Sequence, residues 1–397
     1  MTALTYWRRW TAALLAVATS AMAGAALAQD GEPAEVAEGA ANHAVDGGLG
    51  MLPAGSRLAE EVHFFHNGVL MPIITAISAF VLALLIYVIF RYNAKANPTP
   101  KRFSHNTLVE ILWTGIPVLI LLVIALFSFD LLYKEDVIPD GKQVAYVADG
   151  SSTTFAFPND FASDRRRVTR RTHMRVLIGE GGELTELDRR AFDLEGLGEP
   201  SVTVTLNDAP AAGSEVVIRG GRSLVGRGDD FQKEIALAPS MTLKISGYQW
   251  GWNYAYPDFG DFEFASNMLP EDQTTPALYR LAVDNDVVIP VGETIRVTTT
   301  GRDVIHSWAM PNFALKIDAI PGRINEAWFK ADKPGVYYGQ CSEICGVKHA
   351  FMPIAVRAVS RPEFEAWVDG QRELAGMEPM FADDAEKFAA RPATQLR

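Results

Sequence analysis

Cys341-Ser342-Glu343-Ile344-Cys345-Gly346-Val347-Lys348-His349-Ala350-Phe351-Met352 holds the only two cysteines of the 397-residue chain. A histidine follows four residues after the second cysteine, and a methionine three residues after that. Thiolates, an imidazole and a thioether form the soft ligand set that copper prefers over calcium or magnesium. Two thiolates on one loop allow both sulfurs to bridge a pair of copper ions. Each copper then needs one imidazole and one weak axial ligand. The second histidine has a candidate in His306, within Asp303-Val304-Ile305-His306-Ser307-Trp308, and the last axial ligand in the main-chain carbonyl of Glu343. Three other readings stay open on these residues alone. The cysteines of an exported protein often form a disulfide. A four-ligand zinc site is the second alternative, although zinc rarely recruits methionine. A mononuclear blue-copper site, with one Cys, two His and a weak Met, is the third.

Residues 241–360 resemble the copper domain of cytochrome c oxidase subunit II, which holds the dinuclear CuA centre. The resemblance rests on Tyr337-Tyr338-Gly339-Gln340-Cys341-Ser342-Glu343-Ile344-Cys345-Gly346 and on Asp318-Ala319-Ile320-Pro321-Gly322-Arg323. It implies a Greek-key cupredoxin over 237–360, with His306, Cys341, Glu343, Cys345, His349 and Met352 as CuA ligands. It further implies that the Glu343 carboxylate binds a magnesium or manganese ion shared with subunit I. Trp250, in Tyr248-Gln249-Trp250-Gly251-Trp252-Asn253-Tyr254-Ala255-Tyr256, matches the tryptophan at which the family receives electrons from cytochrome c. Family members commonly carry an aromatic residue where this chain has Gly251. Trp252, Tyr254 and Tyr256 read as core.

The strand signals agree with a small β-sandwich. Leu243-Lys244-Ile245-Ser246 alternates, and Val287-Val288-Ile289-Pro290 and Thr294-Ile295-Arg296-Val297-Thr298 are β-rich between Gly and Pro. Residues 256–272 contain Asp258, Asp261, Glu263, Glu271 and Asp272 with no Lys or Arg. With Asp303, the acids Asp258, Asp261 and Glu263 are expected to steer a basic donor such as cytochrome c, with salt-dependent association. The whole chain is acidic, with 48 Asp and Glu against 36 Lys and Arg. That balance argues against nucleic acid as a partner.

Residues 1–28 read as a secretory signal, with Arg8 and Arg9 before an Ala/Leu run and Ala26-Leu27-Ala28 as the cleavage motif. Residues 29–62 read as an exported segment, loose and rich in Ala, Gly and Glu up to 56. Residues 69–90 and 111–132 are almost wholly apolar. Each is long enough as a helix, roughly 33 Å, to cross a hydrocarbon core of about 30 Å. The intervening loop 91–107 carries Arg91, Lys95, Lys101 and Arg102 and no acid. The positive-inside rule therefore sets this loop in the cytoplasm, and both termini and the copper domain outside a bacterial inner membrane. Glu110 opens the second span. An acid there suits a helix N-terminus, and the resemblance sets it at the entrance of the K proton channel.

Residues 137–236 form an insertion beyond the family pattern. Met174-Arg175-Val176-Leu177-Ile178, Ser201-Val202-Thr203-Val204-Thr205-Leu206 and Ser214-Glu215-Val216-Val217-Ile218 alternate as short strands. Arg165, Arg166, Arg167, Arg170, Arg171 and Arg175 make a basic cluster, read as a solvated loop. Residues 361–375 form an amphipathic helix, and 361–397 the C-terminal helix and tail.

The expected function is that of subunit II of a respiratory cytochrome c oxidase. Electrons from cytochrome c enter at two copper ions and pass to haem a, haem a3 and CuB of subunit I, with subunit III as a further partner. Oxygen is reduced to water with proton pumping. Two rivals are a stand-alone membrane-anchored copper carrier and the copper-free quinol-oxidase type of subunit II. The full ligand set separates the second from this chain.

Overall fold

The computed structural model describes residues 42–381, apart from residue 46 and residues 100–103, 181–182 and 227–232. The expected signal 1–28, the exported segment up to residue 41, Lys101, Arg102 and the tail beyond 381 lie outside the described residues. The chain divides into two units, one of residues 62–131 and one of residues 42–61 with 132–381.

Helix α1 (Arg57–Arg91) and helix α2 (Thr107–Asp136) contain the expected spans 69–90 and 111–132 and extend beyond them. The extra turns of α1 carry Arg57, Glu60, Glu61, His63 and His66, polar groups suited to lying past the hydrocarbon. A π-helical segment, Phe65–Leu70, interrupts α1, and α2 runs unbroken through Pro117. Phe80, Leu85, Phe90, Leu119 and Leu126 are all exposed. An all-apolar helix with no buried face is unstable in water but at home among lipid tails or membrane partners. At the start of α2, Asn106 Oδ1 accepts the Val109 amide and Glu110 Oε1 accepts the Asn106 amide, both at 3.2 Å. The Glu110 carboxylate thus caps its own helix.

The insertion is all β, as its alternation predicts. Its strands are β1 (Lys142–Val147), β2 (Thr154–Pro158), β3 (Met174–Glu180), β4 (Glu183–Glu186), β5 (Phe192–Glu195), β6 (Ser201–Leu206), β7 (Glu215–Gly220), β8 (Leu224–Val225) and β9 (Glu234–Ile235). A four-stranded sheet in the order β1-β7-β3-β4 and a three-stranded sheet in the order β2-β6-β5 contribute to one core. Phe157, Met174, Phe192, Val202 and Ile218 are fully buried in it. The arginine cluster is solvated at Arg165, Arg166 and Arg170, as expected, but folded into the module at Arg175. Arg175 is buried and paired with Glu186 at 3.1 Å, Arg166 pairs with Asp140 at 2.9 Å, and Arg171 lies over the Phe192 ring at 4.8 Å. The guanidinium groups of Arg171 and Arg175 serve carbonyls that the turns of the module leave unpaired.

Residues 53–59 are not loose either, whereas the described residues between 44 and 51 are exposed. The Gly55 amide donates to Asn312 O at 2.7 Å, Asn312 Nδ2 donates to Pro53 O, and Leu58 and Ala59 are buried. Gly55 has to be glycine, because a Cβ there would sit 2.8 Å from the Tyr337 ring and 2.9 Å from that of Phe313.

The remaining strands are β10 (Met241–Tyr248), β11 (Gly251–Tyr256), β12 (Phe262–Ser266), β13 (Val287–Pro290), β14 (Thr294–Gly301), β15 (His306–Met310), β16 (Leu315–Ala319), β17 (Asn325–Lys330), β18 (Gly335–Cys341) and β19 (Pro353–Val359). They form two five-stranded sheets, β12-β11-β10-β14-β17 and β13-β19-β18-β15-β16, around a second core. Strand β10 buries Met241, Leu243, Ile245 and Gly247 and leaves the residues between them at least partly open. That period of two defines a strand with one face on a core. Trp252, Tyr254 and Tyr256 are fully buried on β11. This is the cupredoxin-like sandwich that the sequence predicts. Helix α3 (Arg361–Leu374) closes one end with Phe364 and Val368, and Ser360 and Glu363 make a capping box at its start.

Candidate metal centre

Strand pairing brings the ligands together. Strand β15 begins at His306 and runs antiparallel to β18, with Trp308 opposite Cys341. Ser342 then donates its amide to Ser307 O at 2.9 Å, which fixes the loop leaving β18 against the strand that carries His306. The loop turns through Gly346, at φ +123°, and returns to β19 by a 3-10 turn over His349–Phe351. Met352 O accepts both the Cys341 amide and Trp252 Nε1, each at 3.3 Å. The loop is thus closed at its base and held to β11.

The result is a cluster of donor atoms. Cys341 and Cys345 are free, buried thiols with their sulfurs 3.9 Å apart, far beyond the roughly 2.05 Å of a disulfide. Cys345 Sγ lies 3.6 Å from His349 Nδ1 and 3.4 Å from Met352 Sδ, and Glu343 O lies 3.3 Å from Cys341 Sγ. His306 offers a ring nitrogen within 4.8 Å of both sulfurs. Its Nδ1 is buried without a hydrogen-bond partner, while its Nε2 meets Asp303 Oδ1 at 2.9 Å. A buried, orphaned ring nitrogen beside two thiols is costly unless something is bound there. A carboxylate on the other nitrogen is the usual arrangement behind a metal-binding imidazole. Two thiols, two imidazoles, a thioether and a carbonyl fit a pair of soft metal ions. The expected ligands His306, Cys341, Glu343, Cys345, His349 and Met352 are all brought together.

The electrostatics divide the two thiols. Burial opposes ionisation of Cys341, but the adjacent His306 ring and the neighbouring backbone outweigh it and bring the pKa to about 7. Burial and the adjacent Cys341 push Cys345 up to about 12. Burial likewise opposes a charged His306, yet Cys341 and Asp303 raise its pKa. Asp303 is held below the usual carboxylate range despite partial burial, through His306 and the amides of Val304 and Gln249. Two adjacent thiolates repel each other, and a bound cation would offset that repulsion.

Trp250 belongs to a two-residue hairpin tip, Gln249-Trp250, between the paired residues Tyr248 and Gly251. Its ring is half-buried against the core, and Nε1 donates to Cys345 O at 3.2 Å. Gln249 Nε2 donates to the same carbonyl at 2.7 Å, and the Gln249 amide to Asp303 Oδ2 at 2.7 Å. Lys348 Nζ lies 5.9 Å from the centre of the Trp250 ring. Gln249 is a contributor that sequence reasoning missed, although it adjoins the entry tryptophan. Gly247 was missed as well. A Cβ there would meet the His306 ring at 2.9 Å.

The four expected docking acids are not assembled into one patch. Asp303 lies at the hairpin tip, and Glu263 accepts from Asn253 Nδ2 on the outer face of the sheet. Asp258 and Asp261 follow the far end of β11, some 20 Å along the strand from Trp250 at about 3.3 Å per residue. There Asp258 caps the Thr242 amide at 2.6 Å and Asp261 pairs with Lys244 at 3.2 Å. The acidic run is one stretch in sequence, but it turns away from the tip with its strand. A further acid, Asp284, is exposed nearer the tip and accepts from the Asn267 amide at 2.8 Å. Glu343 is exposed on the ligand loop, with its main-chain oxygen turned toward Cys341.

Comparison with known proteins follows the same division of the chain. Residues 241–359 match the family described as cytochrome c oxidase subunit II, periplasmic domain, and residues 44–131 match its transmembrane domain. A probable cytochrome c oxidase subunit 2 of Rickettsia bellii is 34% identical, covering 82% of this chain and 85% of that one. Cytochrome c oxidase subunit 2 of Cereibacter sphaeroides is 29% identical over 82% of this chain and 81% of that one. The solved periplasmic domain of subunit II of the Bradyrhizobium japonicum cytochrome oxidase is 54% identical, covering 34% of this chain and 96% of that chain with a TM-score of 0.33. A membrane-anchored chain with a cupredoxin-like domain and this His and Cys cluster belongs to the cytochrome c oxidase subunit II family, part of the haem–copper terminal oxidase, an oxidoreductase complex.

Proposed function

We propose that this chain accepts electrons from a c-type cytochrome at a dinuclear CuA centre and passes them to the haem and copper groups of subunit I. The observation that carries this reading is the convergence of both thiols, His306, His349, Met352 and the Glu343 carbonyl at one end of a rigid sandwich. A bound copper pair supplies a one-electron store shared over two nuclei. The chain's own residues hold the ligands still. Cys341 and Cys345 are anchored by β18 and the closed loop, and His306 is oriented by Asp303. Fixed ligands keep the rearrangement on each redox change small.

Trp250 is the proposed entry point, since its indole N–H bonds the carbonyl of the ligand Cys345. Asp303 and Glu263 are the proposed docking acids, whereas Asp258 and Asp261 lie beyond the far end of β11. The exposed Glu343 carboxylate is the proposed ligand for a magnesium or manganese ion shared with subunit I. Glu110 is proposed at the K proton channel entrance, with its capping bond to Asn106 holding it at the helix start. The copper domain and both termini face the periplasm, the loop 91–107 the cytoplasm, and subunit III completes the proton-pumping assembly.

The test is donor-driven turnover of the assembled oxidase with Trp250→Phe, across a range of ionic strengths. The expected result is loss of turnover with the copper content intact, and a rate for the native enzyme that falls as salt rises. Native turnover in the Trp250→Phe enzyme would remove Trp250 from the path.

A further inference from the structure

The two residues flanking the Gln249-Trp250 tip are unequal. Tyr248 and Gly251 pair directly across the hairpin. Gly251 is buried, and a side chain there would have to displace Tyr248 and Asn267. A Cβ would lie 2.6 Å from the Tyr248 hydroxyl, 2.7 Å from Asn267 Oδ1 and 2.8 Å from Tyr248 Cζ. The Tyr248 phenol therefore crosses over from its own strand and occupies the space beside residue 251. Its hydroxyl donates to Asn267 Oδ1 at 2.8 Å, and Asn267 is fixed in turn by Asp284, through its amide at 2.8 Å and its side chain at 3.4 Å. Among the described residues, the other hydrogen bonds of Gln249 and Trp250 run to the copper loop or to Asp303. Tyr248 is the tether that does not pass through a ligand or a ligand's partner.

We infer that Tyr248 is a positioning residue for electron entry: its phenol, laid over Gly251 and tied to Asn267, fixes the hairpin tip that carries Trp250. This rests on Trp250 being the entry point. The glycine and the tyrosine form a reciprocal pair. An aromatic side chain at 251 would need the room that Tyr248 fills, and the loss of one is offset by the other. The tether acts on where Trp250 sits relative to a docked donor, not on whether the donor docks. Its loss consequently lowers the saturated rate more than it raises KM.

The experiment uses the assembled oxidase with Tyr248→Phe, Gly251→Tyr, and the double variant Tyr248→Gly/Gly251→Tyr. Turnover and KM are measured with a c-type cytochrome donor, reduction by a small inorganic reductant is measured beside them, and the copper EPR signal is recorded for each. Tyr248→Phe is expected to slow donor-driven turnover several-fold with KM, the inorganic rate and the EPR signal unchanged. Gly251→Tyr is expected to slow it by about tenfold to a hundredfold, as a misplacement of about an ångström does. The double variant is expected to regain most of that loss, since contacting residues couple. Native kinetics in Tyr248→Phe overturn the inference, as does a double variant no better than a correctly assembled Gly251→Tyr. If Gly251→Tyr does not assemble, Tyr248→Phe decides. Trp250→Phe separates the two ideas. If it leaves turnover untouched, the entry point falls and the inference with it. If it slows turnover while the Tyr248 variants do not, only the inference falls.

Discussion

Replacing Gly247 with alanine would put a methyl group against the ring of His306. The added carbon would lie 2.9 Å from both Cγ and Cδ2 and 3.0 Å from Cβ of the histidine. Carbon atoms rest at about 3.5–4.0 Å, so one partner has to move by roughly 0.5–1 Å. Neither is free to do so. Gly247 lies within β10, hydrogen-bonded between β11 and β14. His306 is fully buried, with Asp303 on its Nε2 and the edge of Trp252 packed at 6.0 Å between ring centroids. Overpacking of this kind costs about 1–3 kcal/mol of stability. It also displaces a ligand ring, and disturbing the surroundings of a metal-binding histidine typically costs about 10–100-fold in affinity. The assay is paired: tryptophan-monitored unfolding of the metal-free protein, and copper titration against a competing chelator. The expected outcome is a lower unfolding midpoint together with weaker copper binding and an altered EPR signal. Native stability and native copper affinity in Gly247→Ala would refute the placement of His306 against β10.

Other changes should act in different directions. Gly370 is exposed in α3, and a Cβ added there would meet nothing within 4 Å. Its replacement by alanine should add about 0.8–1 kcal/mol of stability, read as a raised unfolding midpoint. Asn159 is fully buried and makes three hydrogen bonds, to Val168 N, Val168 O and Glu199 O. Asn159→Ala strands those groups and should destabilise the inserted module by about 1–3 kcal/mol. The copper EPR signal should stay native, because the two cores are separate. Hydrogen bonds from Ser360 hold the Glu363 carboxyl below the usual carboxylate range. A depressed pKa stabilises the folded state above the ordinary carboxylate value, and that contribution disappears as pH falls through the folded value. Protection of the first-turn amides of α3, taken relative to the intrinsic exchange rate at each pH, should therefore fall in acid, and Glu363→Gln should flatten this dependence.

Much of the metal site is legible in sequence because its ligands are chemically rare residues. Two cysteines, with a histidine and a methionine at short spacing, leave few alternatives, and β18 and β19 need only close one loop around them. His306 lies far away in sequence, but β15 and β18 pair antiparallel and bring it to the sulfurs. The core aromatics of β11 and the two apolar helices follow from periodicity and length. What composition does not disclose is direction. The acidic run 256–272 looks continuous, yet β11 carries Asp258 and Asp261 away from Trp250. Glycines show the same limit. Gly55, Gly247 and Gly251 are each required by a ring that packs against them in the fold, and no local pattern marks them. Among the arginines of the insertion, only folding distinguishes Arg175, buried beside Glu186, from exposed neighbours such as Arg165 and Arg170.

Both thiols, with His306, His349 and Met352, are proposed to hold two copper ions that share one electron. This is tested most directly by copper analysis and EPR of the copper-loaded full-length protein in detergent. Two coppers per chain and a seven-line hyperfine pattern are expected, from one unpaired electron spread over two equivalent nuclei. One copper with a four-line pattern, or no copper at all with both thiols intact, would contradict the proposal.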